Sequence, residues 1–208
     1  AEHPALAMWH VSNEYGDELS RCWCPESARH FRRWLRDRYG SLTELNRAWG
    51  TACWGQHYVE WDHIEVPRAT TGPGNPAQLL DFERFSSDAF LALFDAEIAV
   101  LREITPDVPI TTNFMGTFRQ LDYWRFAGRE DIVSNDAYPD PADPDSSRTA
   151  ALGCSLMRSL KDGRPWLLME QAPSAVSWRP VNVPKPPGLM RLHSMQALAH
   201  GADGVLFF

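Results

Sequence analysis

Several features that would assign this chain to a function class at once are missing. Its 208 residues contain only four cysteines, too few for a disulfide scaffold. No apolar run approaches the roughly 20 residues of a membrane span. The net charge of −7 is opposite to that of a protein that neutralises phosphates. No basic segment followed by an apolar one marks a signal peptide. We therefore expect a cytoplasmic protein that binds neither membranes nor nucleic acids.

The chain is instead rich in tryptophan. Nine tryptophans outnumber five tyrosines, while the hydrophobic content of 44% and the charged content of 23% are ordinary for a globular protein. A tryptophan ring can fill a core or stack on the flat apolar face of a ligand such as a sugar ring. For any single tryptophan the core interpretation is the safer one.

Short apolar segments alternate with helical patterns along the chain. We predict strands at 5–12, 108–112, 132–134, 166–169 and 204–208. Helices are predicted at 25–39, 42–49, 82–104, 121–126, 148–161 and 188–200, and the segment 50–76, rich in Gly and Pro, is predicted to be a loop. This alternation is typical of a parallel α/β architecture.

The pattern favours a (β/α)8 TIM barrel of which only a part is present. Such a barrel needs eight strands and about 250 residues, and both ends of this chain lie at predicted strands. We expect a single partial catalytic domain, residues 1–208, with about strands 4 to 8 of a barrel truncated at both ends. An open doubly wound sheet is the alternative, but no Gly-rich phosphate loop follows any strand.

Polar side chains follow the predicted strands. Asn13-Glu14, Asn113, Asn135-Asp136 and Glu170-Gln171 all come directly after an apolar segment. In a parallel barrel this edge carries the catalytic residues. A single glutamate there can also form a salt bridge to a neighbouring strand, but two of them on different strands favour a catalytic pair.

Two carboxyl groups at one edge suggest glycoside hydrolysis. Retaining glycosidases hold two carboxyl groups about 5–5.5 Å apart, one protonated to assist the leaving group and one ionised to attack the anomeric carbon. Glu14 and Glu170 suit these two roles, and the amide of Asn13 can bind a sugar hydroxyl.

Five motifs, in chain order, resemble those of glycoside hydrolase family 42, the β-galactosidases. They are Trp9-His10-Val11-Ser12-Asn13-Glu14-Tyr15-Gly16, Leu45-Asn46-Arg47-Ala48-Trp49-Gly50-Thr51, Ser134-Asn135-Asp136-Ala137-Tyr138-Pro139, Leu168-Met169-Glu170-Gln171 and the segment 199–208. The resemblance covers nearly the whole chain.

This resemblance implies a catalytic (β/α)8 barrel that cleaves terminal β-D-galactosides with retention. Glu14 then matches the acid/base and Glu170 the nucleophile of the family. Asn13, Tyr138 and Trp178 match positions that contact substrate. The family's enzymes are usually trimers, so a homotrimer is expected.

The cysteines depart from the family pattern. Many members carry a four-cysteine zinc site, three of whose ligands are spaced C-x-C-x-x-C. Here Cys22 and Cys24 are present, but Ser27 replaces the third ligand. Because a structural zinc site takes four ligands, we expect no zinc and no other cofactor.

Three alternative functions fit the pattern less well. A metal-dependent hydrolase would need paired histidines, and the seven histidines show no ligand spacing. A non-catalytic carbohydrate-binding barrel remnant would suit the tryptophans but needs no second carboxyl group. A related retaining glycosidase could act on another sugar, for example an α-L-arabinopyranoside.

Overall fold

The structure, a computed structural model, describes residues 3–208 apart from the side chain of Trp54. The chain divides into two compact units. The sheet unit comprises Ala1–Tyr15 and Leu91–Phe208, and the helical unit comprises Gly16–Phe90. The single domain expected over residues 1–208 stays a prediction.

The helical unit contains α1 (Pro25–Tyr39), α2 (Leu42–Trp49), two short 3-10 helices (Cys53–Gly55 and Trp61–His63) and the first part of α3 (Pro76–Ile104). The bounds predicted for the first two helices are confirmed. Pro25 begins α1, where a missing N–H costs nothing, and Gly40 ends it with a φ of 70°. The predicted loop contains the two 3-10 helices, and α3 begins at Pro76 instead of residue 82.

The core of the helical unit is built from the apolar faces of these helices. Phe31, Leu35 and Leu45 are completely buried, together with Ile64 from the loop that follows. Asp81 is the buried polar centre of the unit. Its Oδ2 accepts hydrogen bonds from Tyr39 OH at 2.5 Å and from Trp49 Nε1 at 2.8 Å.

The strands of the sheet unit run parallel and follow one another in chain order. They are β1 (Trp9–His10), β2 (Ile110–Thr111), β3 (Asn113–Phe114), β4 (Ser134–Asp136), β5 (Trp166–Glu170) and β6 (Ala202–Val205). β1 pairs with β2, and the other four form a sheet in the order β3-β4-β5-β6. Since only Thr112 separates β2 from β3, the two occupy one interrupted strand position. This order lacks the reversal of a doubly wound sheet.

The predicted parallel α/β class is confirmed, but several strand bounds differ from the predicted ones. The segment 5–12 contributes only two strand residues, Trp9 and His10, which pair with Ile110 and Thr111. The ladder begins there because Pro109 has no N–H to donate. β4 begins at Ser134 and includes Asn135 and Asp136, which were expected after the strand. β6 begins at residue 202, before the predicted 204.

Helices connect these strands. The last part of α3 precedes β2, α4 (Tyr123–Ala127) precedes β4, α5 (Ser146–Leu160) precedes β5 and α6 (Leu189–Ala199) precedes β6. Phe94, Phe126, Met157 and Trp166 are among the buried side chains of this unit. Across residues 3–208, none of the helices combines the length and the apolar content of a membrane span.

Candidate active site

The turn after β1 presents Glu14 in an unusual backbone conformation. Ser12 has a φ of 57° and Glu14 a φ of 43°, both in the left-handed region that few non-glycine residues adopt. Such conformations persist only where the surroundings enforce them, and they concentrate at functional sites. Here the enforcing contact is a hydrogen bond from Glu14 N to Asn113 Oδ1 at 2.9 Å.

Asn113, the first residue of β3, links the carboxyl ends of three strands. Its Oδ1 accepts hydrogen bonds from Glu14 N and from His10 Nε2, both at 2.9 Å. Its Nδ2 donates to Asn13 Oδ1 at 2.9 Å and also to Asp136 Oδ2. Because this amide is buried, its four hydrogen bonds satisfy it completely. Asn113 therefore fixes Asn13 and Glu14 with respect to β4.

Glu170, the last residue of β5, is held by the loop that follows β4. Tyr138 OH donates a hydrogen bond to Glu170 Oε2. Burial and this contact with a carboxylate both raise the pKa of Tyr138, so the phenol stays a neutral donor. Trp178 packs edge-on against Tyr138, with ring centroids 4.7 Å apart and planes at 90°. Half of the Trp178 side chain remains exposed, and its ring is available for stacking on a ligand.

Three carboxyl groups meet where β1, β4 and β5 end. One carboxylate oxygen from each of Glu14, Asp136 and Glu170 lies within 4.8 Å of the others. Burial is the main cause that raises the pKa of Asp136 to about 9, followed by its hydrogen bond with Glu14 and the charge of Glu170. These oxygens could approach a cation, but Asn113 Nδ2 and Tyr138 OH already donate hydrogen bonds to two of the groups.

A cavity of about 320 Å³ opens beside this cluster. Asp136 and Tyr138 line it, together with Met115 from the loop after β3 and with Thr149 and Gly153 from α5. Its volume lies at the lower end of the range for sites that bind small molecules.

The cysteine pair lies in the helical unit and caps α1. Cys22 Sγ and Cys24 Sγ are 3.3 Å apart, and Cys24 Sγ accepts a hydrogen bond from Ser27 N at 3.4 Å. This bond lowers the pKa of the Cys24 thiol. Two thiols and a serine hydroxyl do not fit a four-ligand zinc site. The absence of zinc stays a prediction.

The structure brings together all five site residues predicted from the sequence and adds three others. Asn13, Glu14, Tyr138, Glu170 and Trp178 are linked by the contacts described above. His10, Asn113 and Asp136 were not predicted as site residues, although their position near the end of a strand was visible in the sequence. Their participation depends on which strands are neighbours, which the strand pattern alone does not state.

Comparison with known proteins gives consistent matches over the whole chain. The sequence model of glycoside hydrolase family 42, described as beta-galactosidase, matches residues 1–208. A β-galactosidase of Geobacillus kaustophilus is 52% identical over 99% of this chain and 30% of its own length. The crystal structure of a β-galactosidase from Bacillus circulans sp. alkalophilus has a TM-score of 0.91 and 46% identity, covering 100% of this chain and 31% of that one.

A third match carries mechanistic information about a relative. It is a family 42 β-galactosidase of G. stearothermophilus, solved as a catalytic mutant in which a glutamate is replaced by alanine. Its TM-score is 0.93 with 42% identity, over 100% of this chain and 31% of that one. This chain thus spans about 30% of the length of the relatives it matches.

Sequential parallel strands with polar side chains at their carboxyl ends are the arrangement of part of a (β/α)8 barrel. The expected fold, a partial barrel, is confirmed by these relatives. The chain belongs to glycoside hydrolase family 42, the β-galactosidase family.

Proposed function

We propose that the protein containing this chain hydrolyses terminal β-D-galactosides with retention of the anomeric configuration, with Glu170 as nucleophile and Glu14 as acid/base. The observation that supports this most is the spacing of the two carboxyl groups. One oxygen of Glu14 lies within 4.8 Å of one oxygen of Glu170. Inverting enzymes hold the two groups about 6.5–9.5 Å apart to admit a water molecule. The catalytic glutamate of the G. stearothermophilus relative agrees with this chemistry.

In the first step, the carboxylate of Glu170 attacks the anomeric carbon and forms a glycosyl ester. Glu14 gives its proton to the glycosidic oxygen, the bond from that oxygen to the anomeric carbon breaks, and the aglycone leaves as an alcohol. Because the hydrogen bond from Tyr138 OH goes to Glu170 Oε2, the other carboxylate oxygen of Glu170 is free to attack.

In the second step, the carboxylate of Glu14 takes a proton from a water molecule, whose oxygen attacks the anomeric carbon. The ester bond to Glu170 breaks, galactose leaves in the β configuration, and Glu14 is protonated again. Asn13, Tyr138 and Trp178 are the proposed sugar contacts. The trimeric assembly and the cytoplasmic location stay predictions.

Alanine variants of the two glutamates separate their roles. Glu170→Ala removes the nucleophile and should reduce turnover of every galactoside to background. Glu14→Ala removes protonation of the leaving group, so it should retain partial activity on a nitrophenyl galactoside and lose nearly all activity on lactose. Glu103→Ala, on the exposed end of α3, is the matched control and should behave as the parent protein.

Azide provides the second part of this experiment. It should rescue Glu14→Ala and give the β-galactosyl azide, because it attacks the glycosyl ester. With Glu170→Ala only one displacement remains, so the product should be the α-anomer. Exchanged anomers would mean that the roles are reversed. Unchanged turnover in both variants would exclude the glycosidase function.

A further inference from the structure

Asp136, at the end of β4, has an oxygen whose hydrogen bonding is incomplete. The residue is 5% exposed, and its Oδ2 accepts a hydrogen bond from Asn113 Nδ2. Its Oδ1 is buried and has no donor partner in the part of the chain that the structure describes. The carboxyl group of Glu14, from the turn after β1, forms a hydrogen bond with the carboxyl group of Asp136. Two ionised carboxylates can only accept hydrogen bonds, so this contact requires a proton on one of them.

The charge of the cluster indicates which group holds that proton. Glu14, Glu170, Tyr138 and Tyr123 face Asp136. Both phenols are neutral, since burial is the main cause that raises their pKa values. An ionised Asp136 would be repelled by the carboxylate of Glu170 before the first step and by the carboxylate of Glu14 after it. Asp136 is buried whereas the two glutamates are partly exposed, so the loss of solvation favours the neutral form most strongly at Asp136.

We propose, resting on the function proposed above, that Asp136 is a positioning residue that stays protonated at neutral pH and donates its proton in a hydrogen bond to Glu14. This bond stabilises the carboxylate that Glu14 becomes once it has protonated the leaving group. Neutral Asp136 adds no charge beside Glu170, whose carboxylate must attack. The proton remains on Asp136 throughout the cycle. A carboxylic acid kept neutral by its surroundings and used as a hydrogen-bond donor is an established device of active sites.

Infrared spectroscopy tests the proton directly. At pH 7 the difference spectrum between the parent protein and Asp136→Asn should contain the carbonyl stretch of one protonated carboxylic acid, which the variant lacks. In the parent protein this band should disappear as the pH rises through about 9. Asp107→Asn, an exposed aspartate before β2, is the matched control and should remove no such band. Absence of the band at pH 7 would overturn the proposal.

The pH profile of kcat/KM tests the hydrogen bond to Glu14, whose ionisation sets the alkaline limb. Asp136→Asn keeps the shape of the side chain. Its amide offers an N–H donor to Glu14 and an oxygen that accepts from Asn113. Its alkaline limb should therefore move by less than about half a pH unit. Asp136→Ala removes the donor and destabilises the Glu14 carboxylate, so its limb should move up by about one pH unit.

An ionised Asp136 would give the opposite result. Both substitutions would then remove a negative charge beside Glu14 and move the limb to lower pH, which would overturn the proposal. An unmoved limb in Asp136→Ala would also overturn it, because a purely structural role leaves the ionisation of Glu14 unchanged. If Asp136→Ala does not fold, Asp136→Asn and the infrared band decide.

These outcomes are distinguishable from failure of the proposed function. If Glu14→Ala and Glu170→Ala both turn over substrate normally, the glycosidase function fails whatever the infrared band shows. If those variants behave as expected and the band is absent, only the proposal about Asp136 fails.

Discussion

Glu130 lies in the segment between α4 and β4 and is only 3% exposed. Its Oε2 accepts a hydrogen bond at 3.0 Å from the backbone N–H of Thr112, the residue that interrupts β2 and β3. Its Oε1 has no hydrogen-bond partner within the described residues. Burial raises the pKa of Glu130 to about 8. The residue therefore makes the free energy of unfolding depend on pH.

The sign of this pH dependence follows from proton binding by Glu130 in the folded and unfolded states. In the unfolded chain Glu130 ionises near its ordinary pKa of 4.5, whereas in the folded protein it keeps its proton up to about pH 8. Between these values the unfolded chain binds fewer protons, so the free energy of unfolding falls as the pH rises. The slope is up to about 1.4 kcal/mol per pH unit. Over the whole window the loss is on the order of 5 kcal/mol.

Replacing the Glu130 carboxyl group by an amide should remove this contribution to the pH dependence of stability. Glu130→Gln keeps an oxygen that can accept from Thr112 N and does not ionise. We expect the variant to match the parent protein near pH 4.5 and to become progressively more stable than it up to about pH 8. Chemical denaturation across this pH window measures the difference. Glu103→Gln, on an exposed face of α3, is the control and should follow the parent protein at every pH.

The reasoning about Glu130 would be refuted by a difference in stability that stays constant across this window or that reverses its sign. A constant difference would mean that Glu130 has the same affinity for protons in the folded and unfolded states. A variant that becomes less stable as the pH rises would mean that the folded protein favours the ionised glutamate.

Two further substitutions each test one contact, the first in the sheet unit and the second in the helical unit. Tyr138→Phe removes the hydrogen bond to Glu170 and should lower kcat on the order of 10–100-fold without changing the unfolding midpoint; an unchanged kcat would contradict the role of this phenol. Asp81→Ala leaves the Tyr39 hydroxyl and the Trp49 indole N–H without their acceptor and should lower the free energy of unfolding by about 2–4 kcal/mol, measured by chemical denaturation. The exposed Asp37→Ala is its control, and equal effects of the two would contradict the central role of Asp81.

Much of the site could be predicted because a parallel α/β pattern fixes where strands end. Glu14 and Glu170 follow apolar segments, and such strands place their carboxyl ends at one edge of the sheet. Asp136 also follows an apolar segment, but its role could not be assigned from that position. Its role depends on burial between two neighbouring strands and on a hydrogen bond from Asn113. Both are consequences of strand pairing and leave no signature in the local sequence.

The amino-acid sequence by itself determined the α/β class, the bounds of the first two helices and the two glutamates of the candidate pair. These follow from local rules, such as proline at a helix start, glycine at its end and apolar runs that end in a carboxylate. Only the tertiary structure decided the break at Thr112, where Glu130 takes the backbone N–H. It also decided the third carboxyl group of the cluster, because the distance between groups on separate strands and the loss of water around them exist only once the chain is folded.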